Sequence, residues 1–346
     1  MSSESLSRGL SKTEFPTVLE DPTLAKGLAT AYYNLSTLLE AGVPLLRSLR
    51  TVEAGLRGPL QRAFGRLIEG VSNGNPLSDA LDMNPKLFAR LDVMIIRAAE
   101  ASGNLAESFG LLAKWHEFSR RIRNLTLSGL ALPILMAHLA AVLYPVPGLV
   151  QSDWDFTAYR HTVLLVVLVL CYIPAALIIC IMCFTPQTGI IRRIFDHISL
   201  RIPFFLGRAL YKLALSRYCW IFHMTSKAGM PITECSEMAA NGAGNMAVAD
   251  LFRASTASVK AGNPFSDGLS SKLPPEFIEP WKIGEETGEL DQIAKRLADT
   301  NAEAAEFWFN EFARWFPRFY YGVIAAVMIV MVFKGYAALY GGLLDL

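Results

Sequence analysis

No Gly-Lys dipeptide occurs in the 346 residues, so there is no Walker A loop to cradle nucleotide phosphates. No HExxH run exists either, because His116 and Glu117 are followed by Phe118, Ser119 and Arg120. A GxSxG nucleophile elbow and a dinucleotide fingerprint are missing too. The five histidines, His116, His138, His161, His197 and His223, lack metal-ligand spacing. These absences remove the usual footholds for nucleotide hydrolysis, metal-dependent hydrolysis, acyl transfer and hydride transfer. The expectation is a non-enzymatic chain with no cofactor, no metal and no nucleic-acid binding.

Charge is scarce as well. Only 18% of residues are Asp, Glu, Lys or Arg against 52% hydrophobic, with a mean hydropathy of +0.33. That is too apolar for a simple soluble protein and too polar for a chain lying wholly in lipid. The missing charge is concentrated in three stretches. None falls between Arg123 and Asp153, and residues 125–149 exceed the roughly 20 helical residues that cross a bilayer. None falls between Arg160 and Arg192, where residues 162–184 are the most hydrophobic run of the chain. The third stretch starts at Phe319 and is uncharged for 15 residues up to Lys334. At 1.5 Å per residue that reaches only about 22 Å, so it needs its continuation beyond Lys334 to cross.

The expected spans are therefore 124–149, 162–185 and 319–343. Lys334 sits where its stem can reach the headgroups, and His138 is expected to bond a neighbouring helix. Pro133 and Pro174 should kink their helices. Arg120, Arg121 and Arg123 before the first span, Arg192, Arg193 and Arg201 after the second, and Arg314 and Arg318 before the third all belong on the cytoplasmic side. The loop 150–161 carries Asp153, Asp155 and Arg160 and should face the periplasm, as should the C-terminus. Residues 1–23 are serine-rich and interspersed with charge, which argues against a cleavable signal and for a flexible cytoplasmic tail.

Five cysteines do not make a disulfide framework. Cys171, Cys180 and Cys183 fall in the second span and Cys219 and Cys235 in a cytoplasmic region. The CxxC spacing of Cys180 and Cys183, without other ligands, points to packing.

What the chain does contain is a repeat. GNPLSDAL at residues 74–81 returns as GNPFSDGL at 262–269, identical at six of eight positions. Upstream, AGVP at 41–44 matches AGMP at 228–231; downstream, EASGNL at 100–105 matches EETGEL at 285–290. The offsets are 187, 188 and 185, so order and spacing persist through the unit. Each copy runs into a span, and the second span supplies the extra crossing that returns copy two to the cytoplasm. The expected order is a first domain 24–123, a connector 186–208 and a second domain 209–318.

Both domains read as helical, and the fold class as all-α with about six helices each. Leu24, Leu28, Leu35, Leu38 and Leu39 recur at helical spacing, and no stretch alternates at period two. Gly42 and Gly229 should end a helix, with Pro44 and Pro231 in the first turn of the next. In Gly74-Asn75-Pro76 and Gly262-Asn263-Pro264 the Gly and Asn can take positive φ and Pro stops the helix. Ser78 or Asp79, and Ser266 or Asp267, can then cap the one that follows. Gly103 and Gly288 should close the helix before the last. Glu100 and Glu285 are readable as a duplicated acid pair or as cation ligands. The plainer reading places each at a helix end, paired with an arginine or a backbone N–H. The motif residues are thus structural, with partner docking as the other reading.

Charge is shared unevenly. Residues 24–123 carry 13 Lys or Arg and 9 Asp or Glu, whereas residues 209–318 carry 11 and 14. Arg62, Arg66 and Arg90 are candidates to meet an acidic second domain, in this or another copy, or an acidic partner. The aromatic run from Phe307 to Tyr321 suits the cytoplasmic headgroup zone of the third span.

The duplicated order AGVP, GNPLSDAL, EASGNL, span, then AGMP, GNPFSDGL, GEETGEL, span, resembles the inner-membrane platform proteins of type II secretion and type IV pilus machines, the GspF/PilC family. The resemblance covers about residues 24–346. It implies two six-helix cytoplasmic domains, three spans and homo-oligomerisation in the bacterial inner membrane. The implied partners are a secretion or pilus assembly ATPase, pilin or pseudopilin, and other inner-membrane machine components. One departure is the run PPEFIEPWKIGEE, which is more polar than its counterpart and holds three prolines. The competing class is an oligomeric small membrane transporter or channel component, which needs a polar path at the midplane.

Overall fold

The computed structural model describes residues 22–143, 156–168, 172–173, 190–201 and 205–344. Most of the tail 1–23, much of the loop 150–161, most of the second expected span and part of the connector 186–208 lie outside the described residues. So do Pro174, Cys171, Cys180 and Cys183. Among the described residues all regular structure is helical, in keeping with the lack of period-two alternation.

The first repeat runs through α1 (Pro22–Glu40), α2 (Leu45–Gly55), α3 (Gly58–Ser72), α4 (Leu77–Asp82), α5 (Arg90–Ser102) and α6 (Leu105–Leu143). After α7 (Phe156–Val167) and α8 (Ile190–Leu200), the second repeat runs through α9 (Leu206–Lys227), α10 (Ile232–Gly242), α11 (Met246–Ala249), α12 (Arg253–Lys260), a 3-10 turn at Ser266–Gly268, α13 (Pro275–Thr287) and α14 (Leu290–Leu344). The helix ends keep the sequence offsets: α2 and α10 match at 187, α5 and α13 at 185. Repeat register is therefore also structural register.

Glycine sets the ends of these helices. Gly74 and Gly262 have φ of 86° and 81°, a conformation nearly free only for a residue without Cβ. The following amides close the turn, Asn75 N–H onto the Gly70 carbonyl at 3.1 Å and Asn263 N–H onto Ser258 at 3.0 Å. Gly42, Gly229, Gly103 and Gly288 end their helices in the same way. Two local expectations are corrected. Asn75 and Asn263 keep negative φ, because the glycine alone absorbs the reversal. Pro44 and Pro231 stand at the N-cap, one residue before the first turn, where their carbonyls accept from Ser48 and Cys235.

The chain forms two compact units. The first takes the described residues up to Asn124, α8, and residues 210–305. Both repeats contribute to this unit, and one hydrophobic core runs through them. Contact between the repeats is largely apolar: Phe118 and Trp220 have ring centroids 6.3 Å apart, and the Ser102 hydroxyl donates to the Ala228 carbonyl at 3.4 Å. The polar PPEFIEPWKIGEE run folds as α13 after all. Pro274 is its N-cap, Pro275 sits at N1, and Phe277 and Trp281 are buried at 2% and 0% exposure.

The second unit holds residues 125–143, 156–168, 172–173, 201, 205–209 and 306–344 of the described chain. In it Tyr159 donates to the Val142 carbonyl at 2.7 Å, and the Tyr172 ring meets His138 edge to face. Phe205 stacks on Trp308, over which the Arg208 guanidinium lies at 5.0 Å. Helix α6 carries the first expected span as far as Leu143 and α14 carries the third. Many side chains there, that of Lys334 included, lie outside the described ones. Among the described residues no helix is long and apolar enough to cross a membrane.

Candidate functional site

The duplicated motifs meet in space. In the first repeat, α5 brings Glu100 to the start of α4, 23 residues earlier in the chain. Its Oε1 accepts from the Leu77 N–H at 2.6 Å and its Oε2 from the Ser78 N–H at 3.0 Å. In the second repeat, α13 brings Glu285 to the equivalent turn. Its Oε1 accepts from the Phe265 N–H, and its Oε2 from the Ser266 N–H at 2.9 Å and the Ser266 hydroxyl at 2.7 Å.

Each carboxylate thus clasps the first amides of a helical turn that has no cap of its own. Pro76 occupies the N-cap of α4 and makes no side-chain cap. A negative charge at that end also meets the positive pole of the turn. This corrects the expectation that Ser78 or Asp79 caps α4: Ser78 is buried at 2% exposure, and Asp79 points outward to pair with Arg97 at 3.1 Å. Asp267 is likewise exposed, and Ser266 binds Glu285 rather than the backbone. Pro264 offers its carbonyl to the Ser258 hydroxyl at 2.9 Å.

Both oxygens of both glutamates are occupied by N–H or O–H donors, which gives the pair a structural task. Glu100 and Glu285 belong to separate clasps, each closed within its own repeat. Among the described residues no group of three or more His, Cys, Asp or Glu is arranged to hold a metal ion. Gly103 and Gly288 end the two glutamate-bearing helices at φ of 75° and 74°. The GNP turn and the ExxG turn are therefore two sides of one fastening.

A second polar cluster is not visible in the repeat motifs. Asp92 is fully buried in the first repeat, where the Tyr32 hydroxyl donates to Oδ2 at 3.1 Å. His116 Nε2 lies 3.1 Å from both carboxylate oxygens. Burial first, and the Asp92 charge next, hold the Tyr32 phenol well above its usual value, so it stays a neutral donor. The available signal was a lone aspartate in an apolar run, on the helical face of Ile95, Ile96 and Ala99.

Counting by the repeat offsets, Tyr32, Asp92 and His116 correspond to Cys219, Phe277 and Asn301. Burial pushes the Cys235 thiol to about 11 and raises Cys219 too, so neither is a nucleophile at neutral pH. A further buried carboxylate, Asp196 of α8, accepts from the Met246 N–H at 2.9 Å at the start of α11.

Of the basic candidates, Arg62 and Arg66 line one groove of about 430 Å³ with Lys86 and Met83, and Arg66 Nε donates to Asn84 at 2.8 Å. The ion pairs Arg97–Asp79, Lys227–Asp291 and Lys260–Glu237 each stay within one repeat. A hollow of about 420 Å³ lies between the repeats, lined by Met94, Arg97, Ser102, Met230 and Glu234.

The family model described as "Type II secretion system (T2SS), protein F" matches this chain twice, over residues 31–150 and 221–336. Each match covers one repeat with its clasp. The type IV pilus assembly protein PilC of Thermus thermophilus is 28% identical over 314 residues, covering 83% of this chain and 75% of the relative. The type II secretion system protein F of Xanthomonas campestris pv. campestris is 28% identical over 286 residues, covering 77% and 70%. That of Vibrio cholerae is 25% identical over 310 residues, covering 82% and 74%.

Proposed function

Because the chain belongs to the type II secretion system protein F family, we propose that it is a non-enzymatic assembly platform in the bacterial inner membrane. In this reading it couples a cytoplasmic secretion or pilus assembly ATPase to polymerisation of pilin or pseudopilin. The observation that carries it is the duplicated clasp. The most conspicuous repeated acids are engaged in holding helical turns, so the motif builds two matched helical surfaces. Relatives named for pilus assembly and for secretion support placing those surfaces in such a machine.

The proposed topology has both repeats in the cytoplasm and spans at 124–149, 162–185 and 319–343, with the N-terminus inside and the C-terminus in the periplasm. Supporting it are the uncharged stretches, the flanking arginines, and exposed apolar side chains such as Leu135, Leu164, Leu165, Ile329 and Phe333. Homo-oligomers and other inner-membrane components of the machine are proposed partners.

The central test is whether a secretion-type ATPase co-purifies with the detergent-solubilised full chain. Deletion of the gene should abolish pili or protein export while leaving ATPase abundance intact, and normal assembly in the deletion strain would overturn the reading.

A further inference from the structure

Helix α8 turns an acid inward and an apolar pair outward. Its polar residues Asp196 and Ser199 are only 3% and 8% exposed. Asp196 is held there by the Met246 N–H on its carboxylate and by Asn245 Nδ2 on its carbonyl, at 2.9 and 3.2 Å. The apolar Ile194 and Ile198, one turn apart, are 55% and 59% exposed. A helix wholly against water keeps its apolar stripe on the core, whereas here Leu200 packs inward while the two isoleucines face out.

At about 100° per residue, Arg193 and His197 share the outer arc with the two isoleucines; Arg201 directly follows the helix, and all three are exposed. Arg193 also meets Asp250 at 3.7 Å. The only acid of the helix is turned inward, so its outer face carries no carboxylate of its own. The helix starts six residues after the apolar run 162–184, a tether of at most about 22 Å of extended chain.

We propose that α8 is an interfacial anchor on an anionic bilayer surface. Ile194 and Ile198 enter the boundary between headgroups and acyl chains, while His197 and Arg201 meet lipid phosphates. An apolar pair flanked by cationic side chains matches that boundary layer by layer, whereas a purely aqueous surface leaves both isoleucines wet. Through Asp196 the anchor fixes the Met246 turn, and with it the second repeat, to the membrane plane. The proposal rests on the reading that the chain spans the membrane.

The test uses the full chain in nanodiscs, with a fluorescent amino acid incorporated singly at position 198, 194, 329 or 72. Lipids brominated near the headgroup quench probes in the boundary layer, and iodide quenches probes in water. At positions 194 and 198 lipid quenching should exceed that at position 72 by at least about threefold in phosphatidylglycerol-containing discs. It should weaken in pure phosphatidylcholine and in Arg201→Glu.

A probe at 198 as open to iodide as one at 72, with 329 shielded from iodide, overturns the anchor and leaves the membrane reading intact. Iodide access at both 198 and 329 sinks the two together. A probe at 198 that is shielded from iodide yet not quenched by lipid assigns the face to a protein partner and overturns the proposal, as does equal quenching in the two lipids.

Discussion

The two repeats share a fastening but line their common core differently. Both tie the GNP turn to the helix of the ExxG motif through a glutamate on two equivalent backbone amides. Around that fastening the first repeat buries a polar set, Tyr32, Asp92 and His116, while the second packs rings. Trp281 is surrounded by Phe222, Phe265, Phe277 and Tyr218 at centroid distances of 5.0, 5.1, 6.4 and 6.5 Å. By the repeat offsets Trp281 stands where the first repeat has Ile96, and Phe277 where it has Asp92. A duplicated chain can thus keep its turns and exchange its interior, because turns answer to local backbone geometry and cores only to total volume and polar satisfaction.

The ring cluster should break hardest. Trp281→Ala is expected to lower protection of the second repeat by about 3–5 kcal/mol, read by hydrogen exchange on the full chain, with the first repeat less affected. If both repeats lose protection equally, the shared core makes them one cooperative unit.

The first repeat offers the polar counterpart. Asp92→Ala leaves the Tyr32 hydroxyl and His116 without their shared acceptor and should cost about 3–5 kcal/mol. Replacing the set together, as Asp92→Leu with His116→Leu and Tyr32→Phe, should cost less than Asp92→Ala alone. A larger loss in the triple variant would show that the cluster does more than satisfy itself.

The clasps should fail more gently and in parallel. Glu100→Ala and Glu285→Ala each strand two backbone amides, for about 1–3 kcal/mol, seen as faster exchange at Leu77 and Ser78 or at Phe265 and Ser266. Ser266→Ala should cost about 0.5–1.5 kcal/mol in the native chain and close to nothing once Glu285 is gone.

The mildest difference is one of pH. Burial first, then Lys295 and Lys227, push His223 below the usual histidine value of 6.5, against a pull from the Asp291 carbonyl that its Nδ1 meets at 2.8 Å. A folded state that resists the proton is fully stable above the unfolded pKa and loses stability as pH falls below about 6.5. His223→Gln should flatten that acid slope in the second repeat, measured as exchange protection across pH 7 to 5.

Much of this architecture is legible in the chain. Leu28 and Leu35, placed on the helical stripe, are buried at 2% and 1% exposure, and Gly42, Gly74 and Gly103 end helices as their neighbours require. The caps depart from the local pattern for a physical reason. Ser78 and Asp79 are the nearest groups able to cap, but the turn was fastened by a carboxylate 22 residues downstream of Ser78, and sequence proximity carries no information about that approach. Asp92 belongs to no repeated motif, and only packing puts Tyr32 and His116 beside it.

The duplication, the register between copies and the uncharged stretches can be counted along the chain, and the helix ends depend on residues within a turn or two of one another. Packing, by contrast, sets one core through both repeats, closes the turns with Glu100 and Glu285, and turns Asp196 of α8 inward and its isoleucines outward. Those outcomes depend on which surfaces are removed from water together, and burial is a property of the assembled chain rather than of any segment of it.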